Sequence, residues 1–182
     1  LTVTGATAAD KTYDGSATAA ITGGALHGLV SGATQVLNSA SGVFNNQNAG
    51  NGKAVTVTGA SLGNGSGLTS NYTVGSSSAG TANITPKALT VTGATAADKT
   101  YDGNATAALT GGALNGLVGG ETLVLNSASG VFNSQNAGNG KAVTVTGASL
   151  GDDSGLASNY TVAQSSAGTA NITPKALTVT DV

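Results

Sequence analysis

The side chains able to do chemistry are few, and they recur at set places. Tyr13-Asp14-Gly15 and Tyr101-Asp102-Gly103 put an aromatic ring beside a carboxylate, a pair that can stack on a sugar and hydrogen-bond its hydroxyls. The same three residue types also build a turn. Aspartate accepts from nearby backbone N–H groups, glycine takes a positive φ and tyrosine covers the edge of a core. Turn chemistry accounts for all three, so Tyr13, Asp14, Tyr101 and Asp102 are read as turn residues first and ligand contacts second. Lys11 and Lys53, with Asp10, Asp14 and the many asparagines, hold the ingredients of a lysine–asparagine cross-link assisted by a buried acid. Charged groups are rarely buried unpaired, and nothing in the sequence buries these.

Three further groups resemble sites and fall short. Asp152-Asp153 between Gly151 and Gly155 suggests a calcium loop, but calcium takes about six to eight oxygens, and Asn64-Gly65 stand at the matching place. His27, the one histidine, is matched by Asn115; acid–base or metal work would need partners beside it, so it is read as a loop residue. Gly63 to Gly67 lacks the lysine of a phosphate loop. Asn-x-Ser/Thr occurs at Asn71, Asn83, Asn104, Asn159 and Asn171, a pattern that chance supplies in so Asn-, Ser- and Thr-rich a chain. No catalytic, cofactor or metal residue is assigned, and no enzyme is expected.

What must position these residues is a repeat. Leu1-Thr2-Val3-Thr4 returns at Leu89 and again at Leu177, an unbroken offset of 88 residues (89 − 1 = 88, 177 − 89 = 88). Self-similarity of this kind marks an array of one unit. The expected units are residues 1–88 and 89–176, with 177–182 the first strand of a truncated third, so the chain is read as a piece of a longer array. The copies differ at twelve positions, among them Ser16/Asn104, Ile21/Leu109, Ala33/Glu121, Gln35/Leu123 and Asn46/Ser134. Most lie in turn-like stretches, where substitution costs little. The Gln35/Leu123 exchange implies an edge or a half-exposed face.

Within one unit the pattern is that of short strands. Leu1 to Thr4 alternates apolar and polar, as does Ala54 to Thr58, the period of a strand with one buried face. Asp14-Gly15 marks a turn. Ala17 to Ile21 reads as a strand stopped by Gly23-Gly24, and Thr34 to Leu37 and Val43-Phe44 as two strands around Gly42. Asn51-Gly52 supplies the positive φ angles of a type I′ hairpin turn. Tyr72 to Val74 and Thr81 to Thr85 close the unit. The expected core is Leu1, Val3, Ile21, Leu26, Leu29, Val43, Phe44, Val55, Val57, Leu62, Tyr72, Val74 and Ile84. Six or seven short strands with Gly-rich turns predict an all-β fold: two small, Ig-like β-sandwich domains in tandem, end to end. Thr85-Pro86-Lys87-Ala88 is read as their connector, stiffened by the proline.

Composition narrows the partners. Charged residues are 8 % of the chain and there is no arginine, so the phosphate-neutralising charge of a nucleic-acid binder is missing. No apolar run approaches the roughly 20 residues of a membrane helix. Cysteine is absent, which removes disulfides and thiolate metal sites.

The residues Lys11 to Gly15, Gly52 to Val57, Asn71-Tyr72-Thr73 and Ile84 to Ala88 resemble the landmarks of the YDG-type repeat. They return in the same order as Lys99 to Gly103, Gly140 to Val145, Asn159 to Thr161 and Ile172 to Ala176. The resemblance implies an exported repeat in large bacterial surface adhesins similar to filamentous haemagglutinin, and it supplies no catalytic residues. The expected role is a stalk or spacer, extracellular or on the cell surface, holding out a distal region that meets a host or matrix surface. The alternative is a multivalent carbohydrate- or matrix-binding module, gaining avidity by repetition. Charge-poor strand edges add lateral or strand-exchange self-association.

Overall fold

Two stretches of chain with nearly the same residues fold into nearly the same set of strands in a computed structural model, which describes residues 1–179. One unit spans Leu1–Lys87 and the other runs from Ala88 onward. The first carries β1 (Thr2–Ala8), β2 (Lys11–Thr12), β3 (Thr18–His27), β4 (Gln35–Phe44), β5 (Gly50–Asn64) and β6 (Ser77–Thr85). The second repeats them as β7 (Lys87–Ala96), β8 (Lys99–Thr100), β9 (Thr106–Ala107), β10 (Leu109–Asn115), β11 (Leu123–Phe132), β12 (Gly138–Asp152), β13 (Tyr160–Val162) and β14 (Ser165–Thr173). Single turns of 3-10 helix at Thr69–Asn71 and Ala157–Asn159 are the other regular elements among the described residues. The chain is all-β.

The second unit shows the layering most plainly. Strands β10-β7-β13 form one sheet, and β8-β14-β12-β11-β9 form another. Its core takes Val91 and Ala94 from the first sheet, and Phe132, Val143, Val145, Ala167, Ala170 and Ile172 from the second. Five of these eight are branched or aromatic and three are alanine, so the sheets meet closely. Alternation drives the inward choice: Val143 and Val145 are buried while Thr144 between them is exposed. In the first unit β3 runs unbroken and pairs with β1 through Ile21–His27 and with β4 through Thr18–Ala20. One strand thereby serves both sheets, which count as a single six-stranded array in the order β1-β3-β4-β5-β6-β2.

Several local expectations are corrected. Gly23-Gly24 does not stop β3; both residues take positive φ (67° and 102°) inside it. A Cβ on Gly24 would lie 2.7 Å from Val3 Cγ1, so this glycine lets the strand settle onto the core. Gly42 does not divide two strands either. It lies within the ten-residue β4, where a Cβ would come 2.5 Å from Ile21 Cδ1. Asn51-Gly52 is not a hairpin turn: it sits inside β5, where the register against β6 shifts by one residue between Gly50 and Lys53. An Asn-Gly pair can serve a bulge as well as a turn, because both need the positive φ (60° at Gly52). The bend from β4 to β5 falls before it, after Phe44. Tyr72–Val74 forms no regular strand, whereas its counterpart Tyr160–Val162 is β13. The expected four-residue connector shrinks to Pro86 alone, with β6 ending at Thr85 and β7 starting at Lys87.

The core is leaner than expected. Val3, Phe44, Val55, Val57 and Ile84 are buried, but Leu1, Ile21, Leu26, Leu29, Val43, Leu62, Tyr72 and Val74 are half-buried. Ala6, Ala19, Ala79 and Ala82 fill the interior beside the larger residues. Gln35 and Leu123 are both half-buried, which suits their exchange. Leu177 and Val179 lie outside any strand and are exposed, and residues 180–182 of the expected third copy lie outside the described residues.

Candidate functional site

Two of the recurring segments, the one after β1 and the end of β6, meet at one corner of each unit. β2 is two residues long and pairs in parallel with the end of β6, Lys11 opposite Ile84 and Thr12 opposite Thr85. This short pairing carries the chain into Tyr13-Asp14-Gly15. Tyr13 N–H donates to Thr85 O at 2.8 Å, and Tyr101 N–H to Thr173 O at 2.8 Å. Gly15 and Gly103 take φ of 79° and 82°, which a side chain would strain.

Lys11 folds back over this turn. Its Nζ lies 2.6 Å from Asp14 Oδ1 and donates to Ser16 O at 2.9 Å, Ser16 Oγ at 3.0 Å and Thr18 O at 3.2 Å. Lys99 does the same with Asp102 at 2.8 Å, Asn104 O at 2.9 Å, Asn104 Oδ1 at 2.9 Å and Thr106 O at 3.1 Å. It also lies 5.9 Å from the centre of the Phe132 ring. The Ser16/Asn104 exchange keeps the acceptor, so the ammonium is held alike in both units. Asp14 Oδ1 in turn accepts from Ser16 N–H at 2.9 Å and Ser16 Oγ at 3.0 Å, and Asp102 Oδ1 from Asn104 N–H at 3.1 Å. Burial pulls the Asp14 carboxyl upward, but the Lys11 and Ser16 donors outweigh it and hold the group below its ordinary value. Lys99, then Asn104, depress Asp102.

A second clamp lies beside the first, and nothing in the sequence reading pointed to it. Asp10 accepts from Asn83 N–H at 2.7 Å and Asn83 Nδ2 at 3.0 Å. The amide's other end, Asn83 Oδ1, accepts from Gly52 N–H at 2.8 Å. One relay thus ties the corner after β1 to β6 and to the bulge of β5. Asp98, Asn171 and Gly140 repeat it with the same three distances. Hydrogen bonds from the asparagine depress both carboxyls. The partners stand 73 and 31 residues apart, so the only signal available was their joint presence in both copies.

The remaining candidates fall elsewhere. Tyr13 is 2 % exposed and Tyr101 37 %. Lys53 lies on the inner face of β5, where its Nζ donates to Asn46 Oδ1 at 2.6 Å; Lys141 donates to Ser134 Oγ at 2.6 Å instead. A lysine–asparagine contact therefore stands at different places in the two copies, Lys53 with Asn46 in one and Lys99 with Asn104 in the other. Asp152 accepts from Ala157 N–H at 2.6 Å and Asp153 from Thr122 Oγ1 at 2.8 Å. Asn64 makes the first of these contacts in the other copy, to Thr69 N–H at 3.1 Å, so this pair shapes a loop. His27 is exposed at the end of β3, opposite Thr2. Glu121, unique to the second unit, accepts at Oε2 from the Tyr160 hydroxyl at 2.5 Å, while Val118 N–H donates to the hydroxyl oxygen at 3.1 Å. Burial, then Glu121, push the Tyr160 hydroxyl above its ordinary value. Among the described residues, no group of three or more His, Asp or Glu gathers as a metal site.

Neither a curated protein nor a solved structure matches this chain. The family model for the YDG domain matches it twice, over residues 1–80 and 85–170. Those matches take in both lysine-held turns and Asp10, Gly52, Asp98 and Gly140, while Asn83 and Asn171 lie just outside them, and they cover nearly the whole sequence: the chain belongs to the YDG domain family.

Proposed function

We propose that these units are stalk or spacer repeats of an exported bacterial adhesin or extracellular fibre, each an Ig-like sandwich, set end to end to hold a distal binding region away from the cell. The observation that carries this reading is where the recurring charged and amide residues are used. Lys11, Asp14, Asp10 and Asn83, and their four counterparts, are all bonded within their own unit, in matching geometry. Side chains spent on building the unit explain a motif that recurs with the fold. The short passage from β6 to β7 through Pro86 adds stiffness, because proline holds φ near one value. Small-angle scattering on the two-unit chain is expected to show an elongated particle, lengthened little by temperature. A folded-back or freely hinged particle would overturn the spacer reading.

A second reading rests on Tyr101, 37 % exposed beside Asp102, whose side chain is 48 % exposed. An open ring next to an open carboxylate suits a pyranose face and its hydroxyls. A glycan array probed with a multivalent form of the chain decides between them. Binding lost on Tyr101→Ala, with the fold intact, favours recognition; no binding favours the spacer.

A further inference from the structure

Four Asn-Gly steps occur in the chain, at Asn51-Gly52, Asn64-Gly65, Asn115-Gly116 and Asn139-Gly140, and all eight residues are exposed. Asn-Gly is the step most prone to spontaneous loss of the side-chain amide. The glycine backbone nitrogen attacks Asn Cγ, a C–N bond forms as the Cγ–Nδ2 bond breaks, and ammonia leaves. Water then opens the cyclic imide to aspartate or isoaspartate. The attacking nitrogen must give up its proton and turn toward the side chain, so a hydrogen bond that holds this N–H elsewhere opposes both requirements.

Two of the four steps have such a bond. Gly52 N–H and Gly140 N–H each donate at 2.8 Å to the side-chain oxygen of Asn83 and Asn171. Those asparagines are themselves locked, by Asp10 and Asp98, through two hydrogen bonds apiece. The bulge that needs Gly52 or Gly140 for its backbone angle thus carries its own guard for the asparagine before it. Asn64-Gly65 and Asn115-Gly116 lie outside both relays, at the ends of β5 and β10. At the Asn64 position, where Asn64 Oδ1 accepts from Thr69 N–H at 3.1 Å, the other copy already carries an acid, Asp152, which accepts from the matching N–H of Ala157 five residues on.

We propose that the Asp10–Asn83 and Asp98–Asn171 relays protect the two bulge asparagines from conversion, and that Asn64 and Asn115 are the sites of amide loss in the folded protein. The test is timed incubation of the intact two-unit chain at mildly alkaline pH, followed by peptide mapping for the amide-to-acid mass gain and for isoaspartate. Folded chain should convert at Asn64 and Asn115 first, with Asn51 and Asn139 slower by roughly fivefold, the factor one hydrogen bond of ordinary net strength supplies. In urea all four should converge. Equal rates in the folded chain would overturn the proposal, as would the same order persisting in urea, since that would trace the difference to flanking residues. Asn83→Leu should raise the Asn51 rate toward that of Asn115 while Asn139 stays slow. A folded variant in which Asn51 remains protected would sink the assigned role of Asn83.

Discussion

At the scale of single residues, Lys11 and Lys99 do more for this fold than surface lysines ordinarily do. An exposed ion pair contributes little, but here each ammonium also satisfies two backbone carbonyls and a side-chain oxygen across the turn. Lys99→Met keeps the stem and strips those bonds. It is expected to lower the second unit's stability by about 1–3 kcal/mol in urea unfolding, since bonds to charged groups exceed neutral ones. Tyr160 gives a separate signature. Its hydroxyl holds its proton more tightly when folded than when unfolded, so its contribution is full below about pH 10 and fades as pH rises further. Tyr160→Phe should flatten the alkaline loss of stability measured by circular dichroism. An unchanged alkaline profile would contradict the assigned Glu121 contact.

At the scale of elements, glycines act in two ways that can be separated by experiment. Gly42 has extended backbone and is packed under Ile21, while Gly52 has φ of 60° and open space where a Cβ would stand. Gly42→Ala should therefore cost about 1–3 kcal/mol through overpacking, and Ile21→Val should relieve part of it, because the two residues share one contact. Gly130→Ala meets Leu109 at 2.8 Å and should behave alike. Gly52→Ala should show no such relief from any neighbour, its cost being backbone strain alone. Comparing single and double variants by thermal unfolding checks the distinction.

At the scale of the whole molecule, four aspartates with depressed carboxyls are distributed evenly, Asp10 and Asp14 in one unit and Asp98 and Asp102 in the other. Each binds its proton less tightly folded than unfolded. Their contribution is present above about pH 4 and is lost as pH falls through the lower, folded values. Both units are expected to weaken together on acidification, read as a falling urea midpoint between about pH 5 and pH 2. Asp10→Asn with Asp98→Asn should shallow that slope; an unaltered slope would contradict the two relays.

Much of the protein was legible from its residues, because the relevant physics is local. Alternation in Ala54 to Thr58 placed Val55 and Val57 inside, and a period of 88 residues announced two like units before any strand was drawn. Turn chemistry at Asp14-Gly15 follows from two adjacent side chains and one backbone angle. The strand ends were a different matter. A glycine breaks a strand, bulges it or makes room beneath a neighbour, and the sequence is the same in all three cases. Only the packed structure showed that Gly42 lies under Ile21 and that Asn51-Gly52 bulges β5. The clamp residues illustrate the same limit. Asp10 and Asn83 are ordinary polar residues 73 positions apart, and their pairing depends on how β1, β5 and β6 meet at one corner. The sequence by itself determined the class of the fold and its repetition. Which polar groups meet was decided by tertiary structure, because a hydrogen bond needs atoms within about 3 Å and chain separation carries no such information.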